Sequence, residues 1–259
     1  MCGIFGLISP GGIQSTRRQA QRLLEHFYQL SESRGKEASG AALLVDDRID
    51  VVKAPVRGRE FLSLPVANVI RDRFIDALAG GRSFALIGHT RMVTNGGDHI
   101  HGNNQPVLRG GLMAIHNGIV VNDGALWNRM PLTKREFEVD TEVVLALLQQ
   151  RLESGAGFVA AATSVMSDLQ GANSIALMSI DHDVLVLATA NGSMFLAHDA
   201  VSGLTAFASE RSILEKIIRD RLRQFTSMAI GSVVQLQPRG LASVALDAPI
   251  PKFRTFSNG

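Results

Sequence analysis

Hydrophobic residues recur with two different periods along this chain. Ile4 to Ser9 is an unbroken apolar run that stops at Pro10-Gly11-Gly12, which predicts a buried strand ended by a turn. From Gln14 to Glu32 the apolar positions Leu23, Leu24, Phe27 and Leu30 lie three and four residues apart, the spacing of a helix. Gly40 to Val45 and Ile49 to Val52 are β-rich runs around the polar Asp46-Asp47-Arg48, which reads as a hairpin. A second helical stretch covers Val66 to Leu78. Strands are predicted at Phe84 to His89, Gly111 to His116 and Ile119 to Val121, with a Gly/Asn-rich loop from Thr94 to Gln105. Long loops inside compact domains are usually functional.

Two consecutive helices follow, Thr141 to Glu153 (apolar at Val143, Val144, Leu147 and Leu148) and Gly157 to Leu169. The last third predicts strands at Ser174 to Ile180, Val184 to Thr189, Met194 to Ala197, Leu204 to Ala208 and Ser232 to Leu236, with one charged helix at Glu210 to Arg223. This order lacks the strict strand-helix alternation of a doubly wound parallel sheet. It predicts an α+β fold, a four-layer αββα sandwich of two mostly antiparallel sheets between helical layers. With no linker, repeat or low-complexity tract, residues 2–259 read as one domain.

Composition narrows the function classes. At 259 residues and 46% hydrophobic, the chain can bury a full core. It has one cysteine, which excludes an internal disulfide framework and predicts a reducing, cytoplasmic setting. The formal net charge is only +2, so the pI near 9.0 is no argument for nucleic acid binding. No apolar run reaches the length of a membrane span, and the N-terminus lacks the basic flank of a signal peptide.

The lone cysteine is the second residue. A small side chain there favours removal of the initiator methionine, which would place a thiol and a free α-amine on one residue. An α-amine has a pKa of roughly 7.7 to 8.0, so it can take the thiol proton without a histidine. This is the arrangement of an N-terminal nucleophile. The context is a strand beginning Cys2-Gly3-Ile4-Phe5-Gly6, with Gly88-His89-Thr90-Arg91, His116-Asn117-Gly118 and Asp140-Thr141-Glu142 later in the chain.

With these motifs, and with Arg34-Gly35-Lys36-Glu37-Ala38-Ser39-Gly40, Leu169-Gln170-Gly171-Ala172 and Ala208-Ser209-Glu210, the sequence resembles the glutaminase domain of class II glutamine amidotransferases. That branch of N-terminal nucleophile hydrolases includes glucosamine-6-phosphate synthase and amidophosphoribosyltransferase. The resemblance runs from Cys2 to about Gln237. It implies a γ-glutamyl thioester on Cys2, with glutamine hydrolysed to glutamate and ammonia. Arg91 is the fork-shaped donor suited to the substrate α-carboxylate, and Asp140 the anion for its α-ammonium. The resemblance further implies an oxyanion hole from the Asn117 side chain and the Gly118 N–H, a steadying role for Arg34 near the nucleophile, and substrate contacts from Thr94. Each residue also has a bland reading. Asn117-Gly118 alone is a type I′ hairpin signal, Asp140 alone a helix N-cap, and Arg91 alone a structural ion pair. Set beside Cys2, the catalytic readings take precedence.

Two departures stand out. Met92 occupies the place of a tryptophan, and Asn95 that of a histidine, in the sugar-phosphate branch; a flexible Met92 can cover the site, but gating by a rigid indole is lost. The segment His101-Gly102-Asn103-Asn104-Gln105-Pro106 also differs from the branch's Asn-Ala-His-Pro-His. No cofactor or metal is expected: of His89, His99, His101 and His116 only two are closely spaced. The helix from Arg211 interleaves acids with its bases and reads as a solvent face. About twenty residues follow Gln237, too few for a synthase domain, so the expected partner is a separate ammonia-accepting synthase subunit; a homo-oligomer is left open. The alternatives are a self-sufficient amidohydrolase of glutamine or γ-glutamyl compounds, and a non-catalytic glutamine sensor.

Overall fold

The computed structural model describes residues 2–94, 96–179, 181, 184–199, 203–217, 224–229, 231–236 and 245–246. The chain order is β1 (Gly3–Ser9), α1 (Arg17–Ser31), β2 (Ala38–Val45), β3 (Arg48–Ala54), a helical turn α2 (Gly58–Phe61), α3 (Asn68–Ala79), β4 (Phe84–Arg91), β5 (Val107–Arg109), β6 (Leu112–Gly118), α4 (Asp123–Asn128), α5 (Thr141–Glu153) and α6 (Phe158–Asp168). Then come β7 (Asn173–Ser179), β8 (Leu185–Thr189), β9 (Phe195–His198), β10 (Thr205–Ala208), α7 (Arg211–Ile217), β11 (Gln224–Ser227), β12 (Ser232–Leu236) and β13 (Ala245–Leu246). The ends of two predicted elements, Ile180 and residues 218–223, lie outside the described residues, as do Asn95 and Gln237.

Two antiparallel sheets form. One has the order β11-β9-β10-β1-β4-β2-β3, the other β13-β12-β8-β7-β6-β5. Strand β1 is central, with Phe5 opposite Ala208 of β10 and Gly88 of β4. Its side chains alternate between two apolar layers. Phe5 and Leu7 join Leu24, Phe27, Tyr28, Ile70 and Phe74 of α1 and α3. Ile4 and Ile8 face the second sheet, packing with Ile87, Ile115, Met178 and Leu187. A third layer joins the outer face of the second sheet to Val143, Val144, Leu147, Ala161 and Val165 of α5 and α6. Helix, sheet, sheet and helix stack in that order, as the αββα expectation requires. Strands buried on both faces are apolar at nearly every position, which is why β1 reads as a continuous hydrophobic run.

Local chemistry sets the helix ends. Thr16 caps α1 through a reciprocal pair: its Oγ1 accepts from the Gln19 N–H at 3.2 Å, and the Gln19 side chain accepts from the Thr16 N–H at 3.0 Å. Such a cap contributes about 1 kcal/mol. It starts the helix at Arg17, three residues later than the hydrophobic period suggests.

The predicted strand at Ile119 to Val121 does not form. The Ile119 and Val121 amides donate to the Ala172 and Gln170 carbonyls, and the Val120 amide donates to the Asp140 carboxylate at 2.7 Å. Ile119 and Val121 are exposed; only Val120 is buried. The apolar triplet is a connector between β6 and α4, tied to the start of α5 through the Val120–Asp140 hydrogen bond.

Candidate active site

Cys2 stands just ahead of central strand β1, 8% exposed. Its Sγ accepts from the Met92 N–H at 3.4 Å, and the thiol lies 3.5 Å from the Met92 carbonyl. Burial pushes the thiol pKa up; the Met92 N–H, the chain's amino terminus and Arg91 pull it back, and Asp140 adds to the rise. Burial therefore favours the neutral thiol over the thiolate.

Arg91 ends β4 beside it, 3% exposed. One guanidinium nitrogen donates to the Asn104 side-chain oxygen and the other to the Gly96 carbonyl, both at 2.7 Å. Burial lowers its pKa, while Cys2, Asp98, Glu37 and Asp140 raise it. Asp140 occupies the N-cap position of α5 but makes no capping bond. Its carboxylate holds the Val120 amide and lies 3.9 Å from the His116 ring. The N-cap reading of Asp140 therefore does not describe its contacts.

Asn117 and Gly118 are the last two residues of β6, not a hairpin turn. Strand β6 lies against β1 and β4 across the space between the sheets. Asn117 is fully buried, yet neither its side-chain nitrogen nor its oxygen has a hydrogen-bond partner. Buried amides are rarely left unmatched, since each missing bond costs roughly 1–3 kcal/mol. Gly118 is required for close approach: a Cβ there would lie 1.8 Å from the Ala172 carbonyl oxygen.

The structure brings Cys2, Met92 and Arg91 into one cluster, with Asp140 in electrostatic reach. Met92 is 40% exposed, over the thiol by its backbone. Arg34 lies in the turn after α1, which packs on Gly3 through Ser31; its guanidinium pairs with Glu210 at 2.9 Å. Thr94 is exposed on the bend that follows Arg91. The loop after it is ordered by its own polar residues. Asn103 donates to Gly97 and Glu138, and Asn104 donates to Asp98 at 2.6 Å.

Three contributors were not anticipated. Gln105 joins the loop to β6 by accepting from the His116 N–H at 2.6 Å. Asn104 holds Arg91. Lys53, 7% exposed on β3, donates to the Asn104 and Pro106 carbonyls at 2.8 and 3.1 Å. Burial, then Arg91, lower its pKa to about 8. A lysine two residues beyond Val51 on an otherwise apolar strand face was the available signal. Among the described residues no group of three His, Cys, Asp or Glu could hold a metal, and no helix is long and apolar enough to cross a membrane.

Two histidines are buried behind the site. His116 bonds Thr141 at 3.2 Å and Asn173 at 2.9 Å, and burial lowers its pKa against the opposing pull of Asp140. His89 is fully buried; burial, then Arg91 and His116, push its pKa down to about 3 against the opposing pull of the His116 backbone. An unfolded histidine titrates near 6.5, so between pH 6.5 and 3 the unfolded chain binds a proton that the folded chain does not. Stability contributed by neutral His89 is thus complete above about pH 6.5 and falls as pH drops, by up to about 5 kcal/mol at pH 3. Denaturant titrations from pH 7 to 4 are expected to show this slope in the wild type and a shallower one in His89→Phe. Equal slopes would refute it.

Residues 89–216 match the model of a glutamine amidotransferase domain. The glutamine–fructose-6-phosphate aminotransferase of Caulobacter vibrioides is 29% identical over 214 residues, 78% of this chain and 32% of that protein. The Zymomonas mobilis enzyme of that name is 30% identical over 197 residues, 74% of this chain and 29% of its own length. The chain thus spans about a third of these relatives. In fold, it is similar to the glutamine phosphoribosylpyrophosphate amidotransferase of B. subtilis, with a TM-score of 0.63 at 19% identity, covering 91% of this chain and 47% of that one. The structure of an allosteric regulatory enzyme of purine biosynthesis gives a TM-score of 0.60 at 22% identity over 91% of this chain and 47% of its own. Motif, family match and layered architecture agree: this chain carries a class II glutamine amidotransferase domain with the fold of the N-terminal nucleophile hydrolases.

Proposed function

We propose that the chain is the glutamine-hydrolysing part of an amidotransferase, with Cys2 as nucleophile. After methionine removal, the Cys2 α-amine takes the thiol proton as sulfur attacks the side-chain carbonyl carbon of L-glutamine. The tetrahedral oxyanion is met by the Asn117 amide and the Gly118 N–H. The ammonium then returns the proton to the leaving nitrogen, the C–N bond breaks, and ammonia leaves a γ-glutamyl thioester. Water, deprotonated by the same amine, cleaves the C–S bond to give glutamate and restores the thiol.

Arg91 holds the substrate α-carboxylate and Asp140 its α-ammonium; Met92 covers the thiol. Thr94 meets the substrate from the loop, and Arg34, anchored on Glu210, steadies the turn packed behind the nucleophile. Ammonia passes to a synthase partner that holds the acceptor, a small metabolite such as a sugar phosphate; the aminotransferase names of the relatives support this. The observation that carries the reading is the fully buried Asn117 amide with no partner of its own. An amide kept unmatched at a strand end facing the nucleophile strand is a preorganised donor for charge that appears only during reaction.

The test is intact-mass and peptide analysis after treatment with the glutamine-like diazo-ketone 6-diazo-5-oxo-L-norleucine. One adduct is expected, on a peptide that begins at Cys2. Retained Met1, or a label on any other residue, overturns the mechanism. Steady glutamate release separates the enzyme from a glutamine sensor, and stimulation by an acceptor-bearing synthase separates it from a self-sufficient hydrolase.

A further inference from the structure

We propose that Lys53 is a positioning residue for glutamine binding, acting on the substrate carboxylate through Asn104 and Arg91. The proposal rests on the glutaminase reading above. Lys53 lies on the inner face of β3 with Ile49 and Val51, which pack on the apolar layer between the sheets. Taking an ammonium out of water is costly unless its donors are matched. Here they are matched by the Asn104 and Pro106 carbonyls, at 2.8 and 3.1 Å, so the charge is spent on fixing the backbone of one loop.

That loop is seated with little slack. Gly40, the cross-strand neighbour of Lys53, lies directly beneath it: a Cβ on Gly40 would approach the Gln105 carbonyl oxygen to 2.1 Å. Asn104, near the end of the loop, is 1% exposed. Its amide nitrogen donates to the Asp98 carbonyl, and its oxygen accepts a hydrogen bond from the Arg91 guanidinium. Lys53 therefore sets the height of the Asn104 backbone, and Asn104 sets the plane of the Arg91 fork. A second effect has the same sign. Lys53 and Arg91 feel each other's charge, so the ammonium adds positive potential where an α-carboxylate docks. Neither effect touches the scissile amide, so the consequence belongs to substrate binding.

The experiment compares steady-state kinetics of the wild type, Lys53→Met, Asn104→Ala and the double variant. Lys53→Met is expected to raise the KM for L-glutamine roughly 10-fold or more, with kcat within about 3-fold, because a displaced fork weakens ground-state and transition-state binding alike. Adding Asn104→Ala to Lys53→Met is expected to cost less than Asn104→Ala alone, since both break one chain of contacts. Should Lys53→Met fail to fold, Lys53→Gln, which keeps a donor for one carbonyl and removes the charge, is read in the same way. An unchanged KM, a loss confined to kcat, or strictly additive effects overturns the proposal. A wild-type protein that hydrolyses no glutamine overturns the glutaminase reading and this one with it. Normal wild-type turnover with an indifferent Lys53 variant overturns only this one.

Discussion

Replacing Cys2 by alanine is expected to lower glutamate release by roughly 10⁶-fold, the scale on which a covalent nucleophile is lost when its supporting groups remain. Burial holds Cys2 as a neutral thiol, so its reactivity comes from proton removal during attack and not from a standing thiolate. Alanine offers neither the proton nor the attacking atom, while its own small side chain still permits methionine removal. The fold should tolerate the change. The two bonds of Sγ are long, at 3.4 and 3.5 Å, and the lost volume is one atom. A cost of about 1 kcal/mol is expected. Glutamine binding, read by calorimetry, should persist, because neither Arg91 nor Asp140 depends on the sulfur for its hydrogen bonds. An alanine variant that still releases glutamate at a rate near that of the wild type would falsify Cys2 as the nucleophile.

Asn117→Ala is expected to lower kcat by roughly 10²- to 10³-fold, the usual effect of removing one oxyanion donor. What makes this informative is the predicted stability. A buried amide that serves the fold is hydrogen-bonded, and its loss destabilises. The Asn117 side chain has no partner for either polar atom, so truncation releases an unmatched group worth roughly 1–3 kcal/mol, offsetting the cavity it leaves. Thermal unfolding should therefore move little or upward while kcat collapses, and Asn117→Leu, which refills the space with apolar atoms, should unfold higher still. A variant with normal kcat and a large drop in unfolding temperature would assign Asn117 to the fold and take it out of the site.

The readable part of the fold was the part with period. Helix α5 was found with its observed bounds, Thr141–Glu153, since Val143, Val144, Leu147 and Leu148 mark one face and Asp140 stands at its start. The layered arrangement followed from strands, paired helices and strands again. What escapes are short elements with too few residues to show a repeat: α2, β5, α4, β11 and β13. Ile119 to Val121 misled because three apolar residues look the same whether their amides pair with a strand or, as here, with Ala172, Asp140 and Gln170.

Of the candidate site, Cys2, Arg91, Asn117, Gly118 and Asp140 are legible in the sequence because each pairs an unusual residue type with a motif. Lys53 and Asn104 are not. Their link joins a side chain to a backbone carbonyl 51 residues away, and no pattern of side chains along a chain records where a carbonyl points.

The place of β1 in its sheet has a consequence for how the protein comes into being. The strand that follows the nucleophile is the first to be synthesised, yet it lies between β4 and β10, partners that begin some 80 and 200 residues later. Pairings this distant are slow to form, since the loop they close must be ordered before it is rewarded. One edge of the strand can pair once residues 84–91 are made, but its other edge has no partner until residues 205–208 emerge. A product truncated before β10 would therefore carry Cys2 at the head of a strand that lacks one of its two flanking partners.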